Sequence, residues 1–255
     1  MTAVASVPAV TPTGSGRPVS DDELGGKGAT LARLARQGFP VPPAACVTAS
    51  AYRAVAADPA VEHLLERIRG GAVVPAGAVD AAFLAAPVPK AIRESIVAVA
   101  DRIGDGGPVA IRSSATVEDL AVASFAGQYR SSLDVRGGEA VLRAVRLTWA
   151  SLWHPAPCAY RRTWGIADGD IAMAVVVMRM VAARLAGVAF TVDPGGAADR
   201  IRVEAVPGLA ESLVSGERTP DVWLVPRTGN GVAAPAPVLG AATLAMRVER
   251  ASAAP

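Results

Sequence analysis

Two short runs carry residue types that suit phosphate. The first is Gly25-Gly26-Lys27-Gly28. Glycines let a backbone turn several N–H groups toward one point, and the N-terminus of a following helix adds partial positive charge there. Lys27 supplies a mobile cation beside them. The Gly-x-x-x-x-Gly-Lys-Ser/Thr spacing of a P-loop is absent. The run alone therefore fits either a phosphate turn of another kind or an ordinary glycine turn with a solvated lysine. The second run is Arg112-Ser113-Ser114-Ala115-Thr116, followed by Glu118-Asp119. An arginine at a strand end can fork two phosphate oxygens, and the hydroxyls after it can donate to phosphate or reach a metal. The alternative is an arginine paired with Glu118 or Asp119 above a serine-rich turn. Two further candidates are weaker. Ser124-Phe125-Ala126-Gly127-Gln128 is small enough to close over phosphates, or is simply a hairpin-like connection. Glu211, after Gly208-Leu209-Ala210, offers the hard oxygen that Mg²⁺ takes, or is a solvated surface carboxylate.

The elements that must position these runs follow from periodicity. In residues 21–37, Leu31 and Leu34 fall on one helical face and Gly38 is a stop, so a helix is expected to start within the glycine run. Phe39-Pro40-Val41-Pro42-Pro43 is a rigid extended link. Residues 44–48 suit a short buried strand, with Thr48 or Ser50 capping a helix that reaches Ala57. Residues 60–103 suit two or three helices. Residues 108–112 read as a strand that delivers Arg112 at its end, and residues 129–135 as another. Residues 139–153 carry apolar side chains at helical spacing. The second half has strand signals at 172–180, 187–192, 201–205 and 222–225, with a turn at Asp193-Pro194-Gly195-Gly196. A weak helix is read near 244–250. This mixture indicates an α+β protein.

Composition narrows the class. Of 255 residues, 51% are hydrophobic and 19% charged, which suits a folded core. The formal net charge of +2 lacks the basic excess of a general nucleic-acid binder. No apolar run reaches membrane-span length and the start lacks a basic leader region, so no membrane partner and a reducing cytoplasm are expected. Cys46 and Cys158 have no metal-ligand spacing and read as small buried thiols. His63 and His154 fall in no Ser/His/Asp or ligand pattern, which argues against a phosphohistidine carrier within the chain. Trp149, Trp153 and Trp164 read as core packing.

The runs also occur in a characteristic order. Gly25-Gly26-Lys27-Gly28-Ala29-Thr30-Leu31 precedes Gly38-Phe39-Pro40-Val41-Pro42-Pro43. The 109–120 run, with Arg112 to Thr116 at its centre, precedes the 124–128 run. Gly187-Val188-Ala189-Phe190-Thr191-Val192-Asp193-Pro194, then Gly208-Leu209-Ala210-Glu211 and Thr219-Pro220-Asp221, complete the set. Over residues 21–225 this resembles the N-terminal ATP-binding domain of phosphoenolpyruvate synthase, pyruvate phosphate dikinase and rifampicin phosphotransferase. The resemblance implies an ATP-grasp-like fold with two lobes, 21–130 and 131–228, around a nucleotide cleft. A flexible 1–20 segment and a poorly ordered 229–255 tail would flank it. It implies ATP and Mg²⁺ as cofactors, with metal ligands unassigned. Lys27 and Arg112 would be the catalytic phosphate contacts. Gly25, Gly26, Gly28, Ser113, Thr116, Gly127, Gln128 and Glu211 would bind the nucleotide, with the backbone at Met180 and Val181 meeting adenine. In the family, ATP gives AMP and its β-phosphate passes to a histidine on a separate domain. Three departures stand out. Met178 occupies the place of a glutamine before the adenine hinge, Gly-Leu-Gly-Glu has become Gly-Leu-Ala-Glu, and the Asp-Ile-Glu-Trp and Gln-x-Arg-Pro segments that carry metal ligands and another phosphate arginine are absent from 226–255. The expectation is an ATP-binding phosphotransferase domain, truncated and needing a separate phosphohistidine-domain protein for turnover. The alternative is a catalytically degenerate nucleotide- or partner-binding protein.

Overall fold

The computed structural model describes residues 10–13, 19–116, 119–120, 123–124, 129–169, 171–195, 200–228, 231–232 and 236–239. Along the chain these form β1 (Val10–Pro12), α1 (Asp21–Arg36), β2 (Ala44–Val47), α2 (Ala49–Ala56), α3 (Pro59–Arg69), α4 (Ala76–Ala85), α5 (Lys90–Gly104), β3 (Val109–Ala115), β4 (Asp119–Leu120), β5 (Ala123–Ser124), β6 (Ser131–Val135), α6 (Gly138–Ser151), α7 (Pro155–Thr163) and β7 (Met173–Arg179). There follow β8 (Leu185–Phe190), β9 (Arg200–Pro207), α8 (Glu211–Val214), β10 (Asp221–Thr228), β11 (Gly231–Val232) and β12 (Ala236–Leu239). The α+β expectation holds. The chain divides into two compact units, Met1–Met180 and Val181–Pro255.

The first unit is built on an antiparallel sheet in the order β1-β2-β7-β3-β6. β7 is central, and its run Met173-Ala174-Val175-Val176-Val177 is fully buried. A strand covered on both faces needs apolar residues at every position rather than alternate ones, which is why this stretch reads as an unbroken apolar run. One face carries Ala45, Val47, Val109, Ile111, Ala115, Met173, Val175 and Val177, which join the buried residues of α2 to α7 in the main core. Trp149, Trp153 and Phe83 are fully enclosed there. The opposite face carries Ala44, Cys46, Ala174 and Val176, covered by Leu24, Ala29 and Ala32 of α1 in a smaller core. The expected lobe boundary near residue 130 falls inside this unit, because β6 pairs with β3 and β7 pairs with both β2 and β3.

Arginines close the helical layer. Arg146 Nε donates to Phe83 O at 2.9 Å, and its Nη2 to Leu84 O and to Ala86 O, the last at 2.6 Å, at the end of α4. Arg162 donates to Ile68 O of α3 at 2.6 Å and Arg179 to Ile103 O of α5 at 2.8 Å. Arg161, wholly buried, donates to Leu152 O just beyond α6 and to Asp168 at 2.6 Å. The last carbonyls of a helix lack intrahelical donors and carry partial negative charge, so a guanidinium satisfies both needs.

The second unit is an antiparallel sheet in the order β11-β10-β9-β8, with β12 also on β10. Gly187 of β8 lies so close to β9 that a Cβ would stand 2.2 Å from the Glu204 carbonyl oxygen.

Several local expectations change. Val10–Pro12 is a strand paired with β2, within the stretch expected as a flexible lead-in. β11 and β12 lie within the stretch expected as a poorly ordered tail, and both pair with β10; the 244–250 helix reading lies outside the described residues. Trp164 is 50% exposed beside Tyr160 rather than in the core. Both cysteines are free and buried, as expected. Among the described residues, no helix is long and apolar enough to cross a membrane.

The core also sets an alkaline limit. Burial pushes the Cys46 thiol from 9.0 up to about 12, against a lowering hydrogen bond at Val175. Burial likewise pushes the Tyr52 phenol from 10.0 up to about 12, against the lowering hydrogen bond from Trp153. Both groups hold their protons more tightly folded than unfolded. The stability they contribute is therefore complete below about pH 9 and lost as pH rises toward 12. Urea titrations should show unfolding free energy falling by roughly 3 kcal/mol between pH 8 and pH 10.5; a flat profile would contradict this.

Candidate functional site

The glycine run lies inside α1, and the helix expected to start within the run is the second stretch of α1, after a break at Gly25. Asp21 to Leu24 form a first turn, the helix breaks at Gly25 with φ 66° and ψ 173°, and a second helical stretch continues to Arg36. Only glycine enters that part of dihedral space without strain. Space makes the same demand. A Cβ on Gly25 would stand 2.0 Å from the Ser114 carbonyl oxygen and 2.6 Å from Ser114 Oγ. A Cβ on Gly28 would stand 3.1 Å from Cys46 Sγ. Gly25 is thus required by the close approach of α1 to β3, and Gly28 sits in a tight contact with β2.

The break exposes backbone groups that an unbroken helix would pair, and Ser114 satisfies two of them. Its Oγ donates to Leu24 O at 2.7 Å and accepts from Gly28 N at 2.9 Å. Ser114 is fully buried. On the other side of the first turn, the Glu23 carboxylate accepts from Ser50 N and Ser50 Oγ, both at 2.8 Å, and from Arg53 at 2.9 Å. That carboxylate caps α2; Thr48, one of the two expected cap residues, is at the cap position and makes no side-chain cap bond. The turn is therefore pinned to α2 and to β3.

Lys27 emerges between the pinned atoms and lines a pocket of about 330 Å³ with Thr30, Leu31, Arg112 and Val176. Arg112 reaches it because residues alternate along a strand. Ala110, Arg112 and Ser114 face α1, whereas Ile111 and Ala115 face the main core. Val176 is the direct register partner of Arg112 across β3 and β7. Among the described residues, the lining holds two cations, one hydroxyl and two aliphatic side chains. Arg112 is exposed, and among the described residues no carboxylate is ion-paired with it. Such a pocket attracts an anion, and its walls suit an apolar ring or chain beside that anion.

The remaining candidates are placed as follows. Gly26 is part of the turn and half-buried. Ser113 is 3% exposed and points with Ile111 and Ala115 to the helical side of the sheet, away from Arg112. Thr116 Oγ1 donates to Ala172 O at 3.3 Å and accepts from Ala172 N at 3.1 Å, so it ties β3 to the entry of β7. Met180 ends the first unit with its N–H donating to Pro108 O at 3.1 Å. Val181, 54% exposed, and Glu211, exposed at the start of α8, belong to the second unit. Glu118, Gly127 and Gln128 lie outside the described residues. Among the described residues there is no group of three or more His, Cys, Asp or Glu side chains arranged to hold a metal ion.

The pocket adds Thr30, Leu31 and Val176 to the candidate site. The first two were legible as residues one helical turn after Lys27, on the same face. A further signal lies in composition. Lys27 and Lys90 are the two lysines of the sequence, and Lys90 is a surface residue 3.8 Å from Glu94. In a chain whose cations are otherwise arginine, one of the two lysines lines this pocket.

Residues 21–247 match the family model described as pyruvate phosphate dikinase, AMP/ATP-binding domain. A phosphoenolpyruvate synthase from Aeropyrum pernix is 37% identical over 220 residues, covering 80% of this chain and 27% of that protein. A rifampicin phosphotransferase from Streptomyces sviceus is 42% identical over 224 residues, covering 82% and 25%. The prodigiosin synthesizing transferase PigC of Serratia marcescens is 40% identical over 213 residues, covering 82% and 23%. The chain thus spans about a quarter of the length of these relatives.

Replacing Gly25 by alanine should lower unfolding free energy by about 2 kcal/mol or more, since the new Cβ meets backbone and demands a disfavoured φ. Denaturant titration measures it, and an unchanged midpoint would show that the turn relaxes freely.

Proposed function

Since the chain belongs to the pyruvate phosphate dikinase AMP/ATP-binding domain family, we propose that it binds ATP with its phosphates at the Lys27–Arg112 pocket and serves as the nucleotide-binding part of a phosphotransferase. One observation carries this reading. Lys27 and Arg112, far apart in sequence and set on different elements, line one pocket with Thr30, Leu31 and Val176. A polyphosphate is long enough to meet both cations, and the forked guanidinium matches phosphate oxygens better than a point charge would.

In this reading the fold is ATP-grasp-like, with nucleotide held between two lobes. Leu31 and Val176 give the apolar wall along which the base runs toward the backbone of Met180 and Val181. Catalysis is electrostatic: Lys27 and Arg112 neutralise charge on the phosphoryl group as it transfers. Mg²⁺ fits as a companion of the nucleotide, coordinated largely by phosphate oxygens with few protein ligands, rather than in a protein cage. Glu211 is the candidate carboxylate. The 124–128 segment, with Gly127 and Gln128, is the candidate cover of the phosphates. The acceptor is a histidine on a separate domain or protein. The relatives' names, a phosphoenolpyruvate synthase and a rifampicin phosphotransferase, support a phosphotransferase whose final acceptor differs among members.

Calorimetry should detect ATP binding by the unmutated protein. Lys27→Ala and Arg112→Ala should each weaken it by about tenfold or more, the loss of a charge-assisted contact worth about 1.5–3 kcal/mol. No heat of binding with the unmutated protein would overturn the reading. AMP release on adding Mg²⁺ and a phosphohistidine-domain protein distinguishes turnover from nucleotide binding alone.

A further inference from the structure

We propose that Ser114 is a positioning residue for nucleotide binding. Its hydroxyl fixes the glycine turn so that Lys27 is held beside Arg112 before nucleotide arrives, and it occupies the Gly28 amide that would otherwise be offered to phosphate. The proposal rests on the reading of the pocket as an ATP phosphate site, and it assigns the glycine run a different task from a phosphate cradle.

The geometry supports it at four points. Ser114 Oγ uses its donor on Leu24 O, at 2.7 Å, and a lone pair on Gly28 N, at 2.9 Å. These two atoms bracket Lys27 in sequence, so one hydroxyl sets both ends of the segment that carries the lysine. Ser114 is fully buried, which keeps water from substituting for it. Gly25 allows this contact, because any Cβ there would collide with Ser114 itself. Finally, Ser114 shares a strand and a face with Arg112. The two cations are therefore indexed to one rigid element: Arg112 by its place in β3, Lys27 through the Ser114 hydroxyl.

Arg112 needs no such help. The β3 ladder holds it between Val176 of β7 and Ser131 of β6. Loss of the Ser114 hydroxyl should thus disturb Lys27 and leave Arg112 in place. A structural loss spread over the whole pocket would disturb both.

The test is calorimetric titration of Mg²⁺-ATP into the unmutated protein, Ser114→Ala, Lys27→Ala, Arg112→Ala and the doubles of Ser114→Ala with each. We expect Ser114→Ala to weaken ATP by about tenfold. Adding it to Lys27→Ala should change affinity by less than about twofold, and adding it to Arg112→Ala should cost the same tenfold again. Unchanged affinity in Ser114→Ala, or equal additivity with both partners, would overturn the proposal. No ATP binding by the unmutated protein would instead sink the nucleotide reading. Should Ser114→Ala fail to fold, amide hydrogen exchange on the unmutated protein decides. The Gly28 amide should be protected without ATP and unaltered by it. Fast exchange that ATP suppresses would show the amide facing phosphate and would refute the proposal.

Discussion

Ser114 Oγ lies between the Leu24 carbonyl and the Gly28 amide, and much of the first unit is arranged so that it can. The bridge needs α1 broken at Gly25, so that a carbonyl and an amide are freed on either side of the break. It needs a glycine at the break, because the Ser114 backbone occupies the space of a side chain. It needs small residues along α1, and Gly28, Ala29 and Ala32 are those buried against the sheet. It also needs β3 to present alternate residues to α1, which places Arg112 beside the site by the same periodicity. A buried N–H left without an acceptor costs about 1–3 kcal/mol, so the serine hydroxyl both stabilises the packing and defines where Lys27 stands.

The helical layer on the other face supplies the rigidity behind this arrangement. Arg146, Arg161, Arg162 and Arg179 each donate to carbonyls at the C-terminal ends of different helices. Arg161 also lies 5.4 Å from the Trp153 ring centroid, and Arg69 lies 5.0 Å from it. Trp153 in turn donates to Tyr52 at 2.7 Å. These contacts explain why a chain this rich in alanine, with few large side chains, still fixes its helices. The ends are held by guanidinium groups where packing volume is small. Arginine suits that task, since one planar fork reaches several carbonyls at once. Lysine is then kept for two positions, one in the pocket and one on the surface.

The family and the main elements were legible in the sequence because they rest on local pattern. The all-apolar run at β7, the helical spacing of α6 and the strand reading at 108–112 each declare themselves without tertiary information, although β3 continues past Arg112 to Ala115, paired along its length with β7. What was not legible depends on contacts between distant segments. The sequence assigned all the glycines of the first run to phosphate, whereas Gly25 is demanded by the close approach of β3. It grouped Ser113 with the site although strand alternation sends that hydroxyl to the opposite face, and Ser114, the neighbour it passed over, makes the bridge. α7 escaped because it opens with Pro155-Ala156-Pro157, which resembles a loop but also suits the first turn of a helix, where a proline's missing N–H costs nothing. β1 is three residues long and owes its strand conformation to its partner β2.

In the proposed function, Lys27 stands at the phosphates of bound ATP. An ATP derivative carrying an acyl phosphate at its terminal phosphate tests this directly, since it transfers its acyl group to an amine held next to that phosphate. Lys90, ion-paired on the surface, serves as the internal control. Peptide mapping should find the acyl group on Lys27, with labelling suppressed by excess ATP, and Lys90 modified slowly and without protection. Equal labelling of the two lysines, indifferent to ATP, would contradict the account.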